Sequence, residues 1–160
     1  MDSTLATRLK HVQNSIHEAC ISSGRDPQSV RLVAASKTRT ADEVRQAMAA
    51  GHRLFGENRA QELRDKSEAL RFDPSPPQWH FIGALQTNKV RYVVGVATLV
   101  HSVDRLALAT AISSRAVLLD SRGQLPAPVR VLIQVNIAGE PSKSGVSPHE
   151  ALDLARTVHA

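Results

Sequence analysis

The chain has 160 residues and a mass of 17.3 kDa, the size of one domain or of a part of a larger one. Hydrophobic residues are 42% and charged residues 22%, a globular balance that excludes a disordered chain. The net charge of +5, with a pI near 10.0, admits an anionic partner, but the basic residues are scattered and aromatics are only 3%, which argues against a stacking platform for single-stranded nucleic acid.

The N-terminal stretch MDSTLATRLKHV carries charges early and has no apolar core, so no standard secretion signal is expected. Residues 4–22 place Leu5, Leu9, Val12, Ile16 and Ala19 at steps of three and four, one apolar face of a helix. Gly24 and Pro27 end it. Arg31–Ser36 is an apolar run of strand length. Thr40 and Glu43 form a capping box for a helix with Val44, Ala47 and Met48 inward and Gly51 as its stop. Arg53–Gly56 is a second strand. Asn58 is placed to cap a helix over 59–71 whose inner face includes Leu63 and Leu70.

A loop over 72–77 leads to a third strand, Gln78–Ile82, and a helix from about Thr87. Thr98–His101 is a fourth strand. A helix over 104–118 follows, with Leu106, Ala109, Ile112 and Ala116 inward. After a turn over 120–128, Val129–Ile137 alternates cleanly: Val129, Val131, Ile133, Val135 and Ile137 on one face, Arg130, Leu132, Gln134 and Asn136 on the other. Ser147, Pro148 and Glu150 open a last helix that stays in register to Ala160. The longest mostly apolar run, Val93–Val100, falls well short of the ~20 residues needed to cross a bilayer, so no membrane partner is expected.

A helix followed by five strand–helix units argues for a parallel sheet with right-handed crossovers. Five units suit a doubly wound sheet, and they equally suit part of a (β/α)8 barrel. Periodicity alone does not choose. In either architecture the site lies at the C-terminal ends of the strands.

Lys37, in VAASKTRT, stands at such an end and shares a face with Val33 and Ala35. Small apolar neighbours would partly desolvate its amine and lower its pKa, with Arg39 acting in the same sense. A neutral amine is what Schiff-base chemistry with an aldehyde requires; the plainer alternative is a snorkelling surface lysine. Asn58, in FGEN, is either a helix cap or an amide turned into the mouth of the sheet. His80, in WHFIG, shares a face with Ile82 and is either a satisfied core residue or a ligand-facing one, and Gly83 after it permits close backbone approach. Gln134 and Asn136 need hydrogen-bond partners, in a ligand or in each other. The loop GEPSKSG (139–145) has the composition of an anion nest but lacks the established phosphate-loop patterns.

The seven histidines show no metal-site spacing, no Ser-His-Asp or paired-carboxylate pattern is legible, and the single Cys20 excludes an internal disulfide. With no signal, that cysteine usage fits a reducing cytoplasm.

Taken together, LVAASKTRT, GHRLFGENRAQEL, WHFIGALQTNKVR, HSVDR and VLIQVNIAGEPSKSG resemble the pyridoxal phosphate homeostasis protein family, the alanine-racemase-like N-terminal domain family. The resemblance runs through essentially all 160 residues. It implies an α/β fold of (β/α)8 TIM-barrel type, with about five units present after an N-terminal helix. It also implies a cofactor, pyridoxal 5'-phosphate (PLP). Lys37 matches the family lysine that holds PLP as a Schiff base. Asn58 matches a position close to the cofactor, and His80 and Asn136 match motif positions lining the same mouth.

The implied function is PLP binding in vitamin B6 homeostasis, with PLP-dependent apoenzymes as recipients, no catalytic residue and no enzymatic turnover. Family members are longer. Their C-terminal part supplies a phosphate cup and an arginine facing the pyridine nitrogen, so residues 1–160 are expected to form one barrel domain, incomplete at its C-terminus. Open outer strands would then favour self-association and weak PLP binding.

Two other functions compete. A racemase-like PLP enzyme would need a second acid/base, and the only tyrosine is Tyr92. A basic nucleic-acid-binding module is favoured by the pI alone, and no nucleic-acid partner is expected.

Overall fold

The computed structural model describes residues 4–159. Met1–Ser3 and Ala160, to which the sequence extends the last helix, lie outside the described residues. The elements run α1 (Leu5–Ser22), β1 (Ala34–Ala35), α2 (Ala41–Ala49), β2 (Leu54–Glu57), α3 (Ala60–Leu70), β3 (Gln78–Phe81), β4 (Ala97–Val103), α4 (Leu106–Asp120), β5 (Arg130–Ile133) and α5 (Pro148–His159). All strand pairs are parallel, and the order in the sheet is β1-β2-β3-β4-β5.

That order settles the architecture. A doubly wound sheet reverses direction at a switch point and places its first strand in the interior. Here each new strand adds beside the last, as in the wall of a (β/α)8 barrel. Right-handed crossovers that always advance the same way put the helices on one side. Phe55, Trp79, Phe81, Val100 and Val103 face that layer and pack with Val44, Met48, Leu63, Leu70, Leu108 and Ile112. The other side is concave. A Cβ added to Gly56 would meet Ile82 and Val33 side chains at 2.8 to 3.0 Å, so these three positions crowd together on it.

Several boundaries differ from the sequence expectations, each for a local reason. β1 shrinks to two residues because among the described residues it pairs with β2 alone. The fourth strand is longer than Thr98–His101, since β4 has a partner on both sides. The fifth strand stops at Ile133, where β4 ends. The Gln134 amide still reaches the Val103 carbonyl, but beyond it Val135 bridges Val146 instead. The segment Thr87–Tyr92 is a 3-10 turn, not an α-helix.

In α4 Leu108, Ile112 and Leu119 are buried and Ala109 and Ala116 pack against the core as expected, while Leu106 is exposed. The helix is apolar almost all round, so its period could not single out a face. The Thr40–Glu43 capping box is present as read. The N-cap of α3, however, is Arg59, without a side-chain cap, and not Asn58.

Candidate functional site

The first βα connection is a tight turn. The Arg39 N–H donates to the Ser36 carbonyl at 3.0 Å, with Lys37 and Thr38 between them. Thr38 has φ of +64°, the left-handed region that a β-branched residue rarely enters. In a turn of this kind glycine normally takes that place.

Lys37 stands at the strand end as expected, but its side chain is exposed. The apolar shielding expected from Val33 and Ala35 is absent, since Ala35 is exposed as well and Val33 only half-buried. Arg39 does not press on the lysine either. Its guanidinium pairs with Glu43 at 3.2 Å.

Beneath the turn, on the helix side, lies a polar cluster that the sequence reading missed. Glu57 is fully buried at the end of β2. Its Oε1 accepts from the Ser36 hydroxyl at 2.7 Å and from the Lys66 ammonium at 2.5 Å, and its Oε2 has no partner. Lys66, also buried, donates to the Ser36 carbonyl at 2.8 Å and lies 3.5 Å from Glu62. A signal was present. By period two Glu57 falls on the same side as Phe55, and Lys66 interrupts the stripe Leu63–Leu70, so two charges stood where apolar residues belong.

His80 lies deeper. Ala35, Gly56, His80 and Leu99 form one rung across the sheet. Lys37 is two residues further along, ~7 Å toward the strand ends at 3.3 Å per residue. His80 is 4% exposed, and its Nδ1 shares a 2.9 Å hydrogen bond with Nε2 of His101, the donor set by the tautomer. Its own Nε2 is buried without a partner. Burial, then the neighbouring His101, Arg31 and Arg130, lower its pKa to about 4. Burial lowers that of His101 as well. The pair is therefore neutral at physiological pH, and His101 is a second residue that the sequence did not single out.

Asn58 follows β2 with its amide free of any capping bond. Its backbone lies against Gly83, where an added Cβ would sit 2.2 Å from the Asn58 carbonyl oxygen. The β2 and β3 loops thus touch backbone to backbone, which requires glycine. Asn136 behaves differently. Its amide donates to the Glu140 carbonyl at 2.9 Å, and Gln134 donates to the Ser144 carbonyl at 3.0 Å. Both amides fasten the 139–145 loop rather than each other. The structure thus gathers Lys37 and Asn58 at the ends of β1 and β2, sets His80 one level below, and gives Asn136 a loop-holding bond beyond β5.

Among the described residues no group of His, Cys, Asp and Glu could hold a metal ion, and no helix is long and apolar enough to cross a membrane.

No protein-family model matches the chain. The pyridoxal phosphate homeostasis protein of Pseudomonas aeruginosa is 44% identical over 156 residues, covering 98% of this chain and 64% of the relative. A crystal structure of an unknown protein from Bifidobacterium adolescentis superposes with a TM-score of 0.82 at 38% identity, covering 96% of this chain and 63% of that one. PipY of Synechococcus elongatus, solved with PLP bound, gives a TM-score of 0.68 at 34% identity, covering 89% and 63%. The chain therefore spans somewhat under two thirds of the length of the proteins it matches.

Proposed function

The chain is a relative of the pyridoxal phosphate homeostasis proteins, and on that premise we propose that it binds PLP in vitamin B6 homeostasis, with Lys37 as the point of covalent attachment. The observation that carries this reading is the place of Lys37. It is an exposed amine on the turn after β1, at the end of the sheet where barrels hold their ligands. The residues present fit the group. The Asn58 amide is not used in capping, the Gly83 backbone packs directly on the Asn58 loop, and His80 keeps a buried, unpartnered Nε2 on the concave side.

PLP supplies an aldehyde that an amine can capture and a phosphate that favours positive surroundings. Lys37 would provide the amine and Asn58 a neutral donor and acceptor near it. His80 would offer a neutral imidazole and not a charge. Asn136 acts on this reading through the 139–145 loop that it fastens.

The chain holds and releases PLP without turning substrate over. A racemase needs a second acid/base at the strand ends. Tyr92 is instead on the helix side, its ring 5.0 Å from the Arg64 guanidinium of α3 and its hydroxyl accepting from Arg91. The reading places the protein with soluble PLP-dependent apoenzymes as recipients, in the cytoplasm.

The test is direct. The protein is mixed with PLP, reduced with borohydride and mapped by mass spectrometry. The pyridoxyl group is expected on Lys37, and the Lys37→Ala variant should lose the near-ultraviolet or visible absorbance of the complex. A label concentrated on Lys10, Lys89 or Lys143 would overturn the assignment.

A further inference from the structure

A buried ion pair is poor evidence of stabilisation, because well-packed apolar residues often replace one at no loss. The Glu57–Lys66 pair is also imperfect, since the Glu57 Oε2 is buried with nothing to accept from. What the cluster's bonds have in common is their target. The Ser36 hydroxyl donates to Glu57 and the Lys66 ammonium donates to the Ser36 carbonyl. The Thr38 N–H donates to Oε2 of Glu62 at 3.4 Å. Ser36 and Thr38 are the residues on either side of Lys37. The turn they belong to is strained at Thr38, and strained backbone persists only where its surroundings over-determine it.

We propose that Glu57, Lys66 and Glu62 are positioning residues, a buried clamp that fixes the Ser36–Arg39 turn and so presents the Lys37 amine at the strand ends. The inference rests on the reading of Lys37 as the PLP attachment point. It adds that α3 and the end of β2, not β1 alone, decide where that amine stands. β1 is too short to do this itself, with two residues paired to β2. The clamp acts from the helix side, so it constrains the turn without occupying the concave side where a ligand would sit.

The test uses the full chain and two probes of the turn that need no PLP. One is amide hydrogen exchange at Thr38 and Arg39, whose N–H groups donate to Glu62 and to the Ser36 carbonyl. The other is acetylation of Lys37 by acetic anhydride, measured against exposed Lys10 in the same sample. The double variant Glu57→Leu with Lys66→Met replaces the ion pair by apolar side chains of similar size. Exchange at the turn should accelerate about tenfold or more, while amides of β3 and β4 keep their protection. Acetylation of Lys37 relative to Lys10 should shift. PLP capture at Lys37, trapped with borohydride, should slow by about fivefold or more, as expected when a reacting group loses its fixed orientation.

Unchanged exchange and unchanged Lys37 reactivity in a folded double variant would overturn the proposal and leave the cluster a packing feature. If the double variant does not fold, Ser36→Ala combined with Glu62→Ala decides. That pair keeps Glu57–Lys66 and the Lys66 bond to the Ser36 carbonyl and removes the Ser36 hydroxyl and Glu62 carboxylate bonds to the turn, with expected and contrary results in the same direction. Should PLP label a different lysine in the wild type, the PLP reading fails, and exchange and acetylation still decide the clamp.

Discussion

At the scale of the residue, His80 makes the sharpest solution prediction. In the unfolded chain its imidazole takes up a proton below about pH 6.5, whereas in the folded protein it resists until about pH 4. Between those values the unfolded chain binds more protons, so acid favours unfolding. Stability should be unaffected by this group above pH 6.5, decline as pH falls toward 4, and level off below. A depression of this size is worth on the order of 3 kcal/mol across the window. His101 adds in the same sense but titrates with its neighbour as a pair. Urea midpoints from pH 4 to 8 should show the decline in the wild type and a flatter profile in His80→Gln. An identical slope in both would assign the acid sensitivity to other groups. Lys37 shows the opposite limit of reading single residues. Its position at a strand end was legible, but its exposure was not, because the side chains that shield a lysine come from other elements.

At the scale of the element, the helices and strands were legible wherever one face is apolar and the other polar. Thr40 and Glu43 announced α2, and the alternation of Gln78–Phe81 announced β3. Reading failed where a partner element decides. α4 is apolar on all sides, so only packing could select Leu108 over Leu106. β5 ends where β4 ends, although its alternating pattern runs on. Asn58 has the chemistry of a cap, yet the helix starts one residue later because its backbone is held against Gly83.

That contact yields a prediction. Gly83→Ala drives a methyl group to within van der Waals overlap of the Asn58 backbone, with no flexible side chain to yield. The β2 and β3 loops must separate, at a cost of about 1–3 kcal/mol by analogy with overpacked cores. Chemical denaturation should show the loss, and PLP affinity should fall with it. Wild-type stability in Gly83→Ala would mean that the loops have slack.

At the scale of the whole molecule, the sheet has two outer strands, and among the described residues β1 and β5 each pair on one side only. On β5 Leu132, on the concave side, is 47% exposed, and the nearby Ile137 is 85% exposed. An unpaired edge carrying apolar side chains is a template for another chain. The 160-residue chain should therefore associate as its concentration rises. Light scattering should detect this, and Leu132→Lys should weaken it by placing a charge on the exposed side of the edge. A monodisperse wild-type monomer at high concentration would show that the edge is protected in solution.

The sequence by itself determined the inventory: an N-terminal helix, five strand–helix units, the capping box at Thr40, and a lysine, an asparagine and a histidine near strand ends. These are local facts, written in periods of two and 3.6 and in the residue types that start and stop elements. Periodicity left a doubly wound sheet and a barrel wall open and the family resemblance pointed to the barrel; the strand order of the tertiary structure bears the barrel wall out, because that order depends on which distant strands pair. It alone joined Glu57 to Lys66 and Ser36, and His80 to His101, across separations of 9 to 30 residues. It also exposed Lys37 and strained Thr38. Hydrogen bonds and burial are made between elements, and a one-dimensional pattern records only what each element offers, not which partner accepts it.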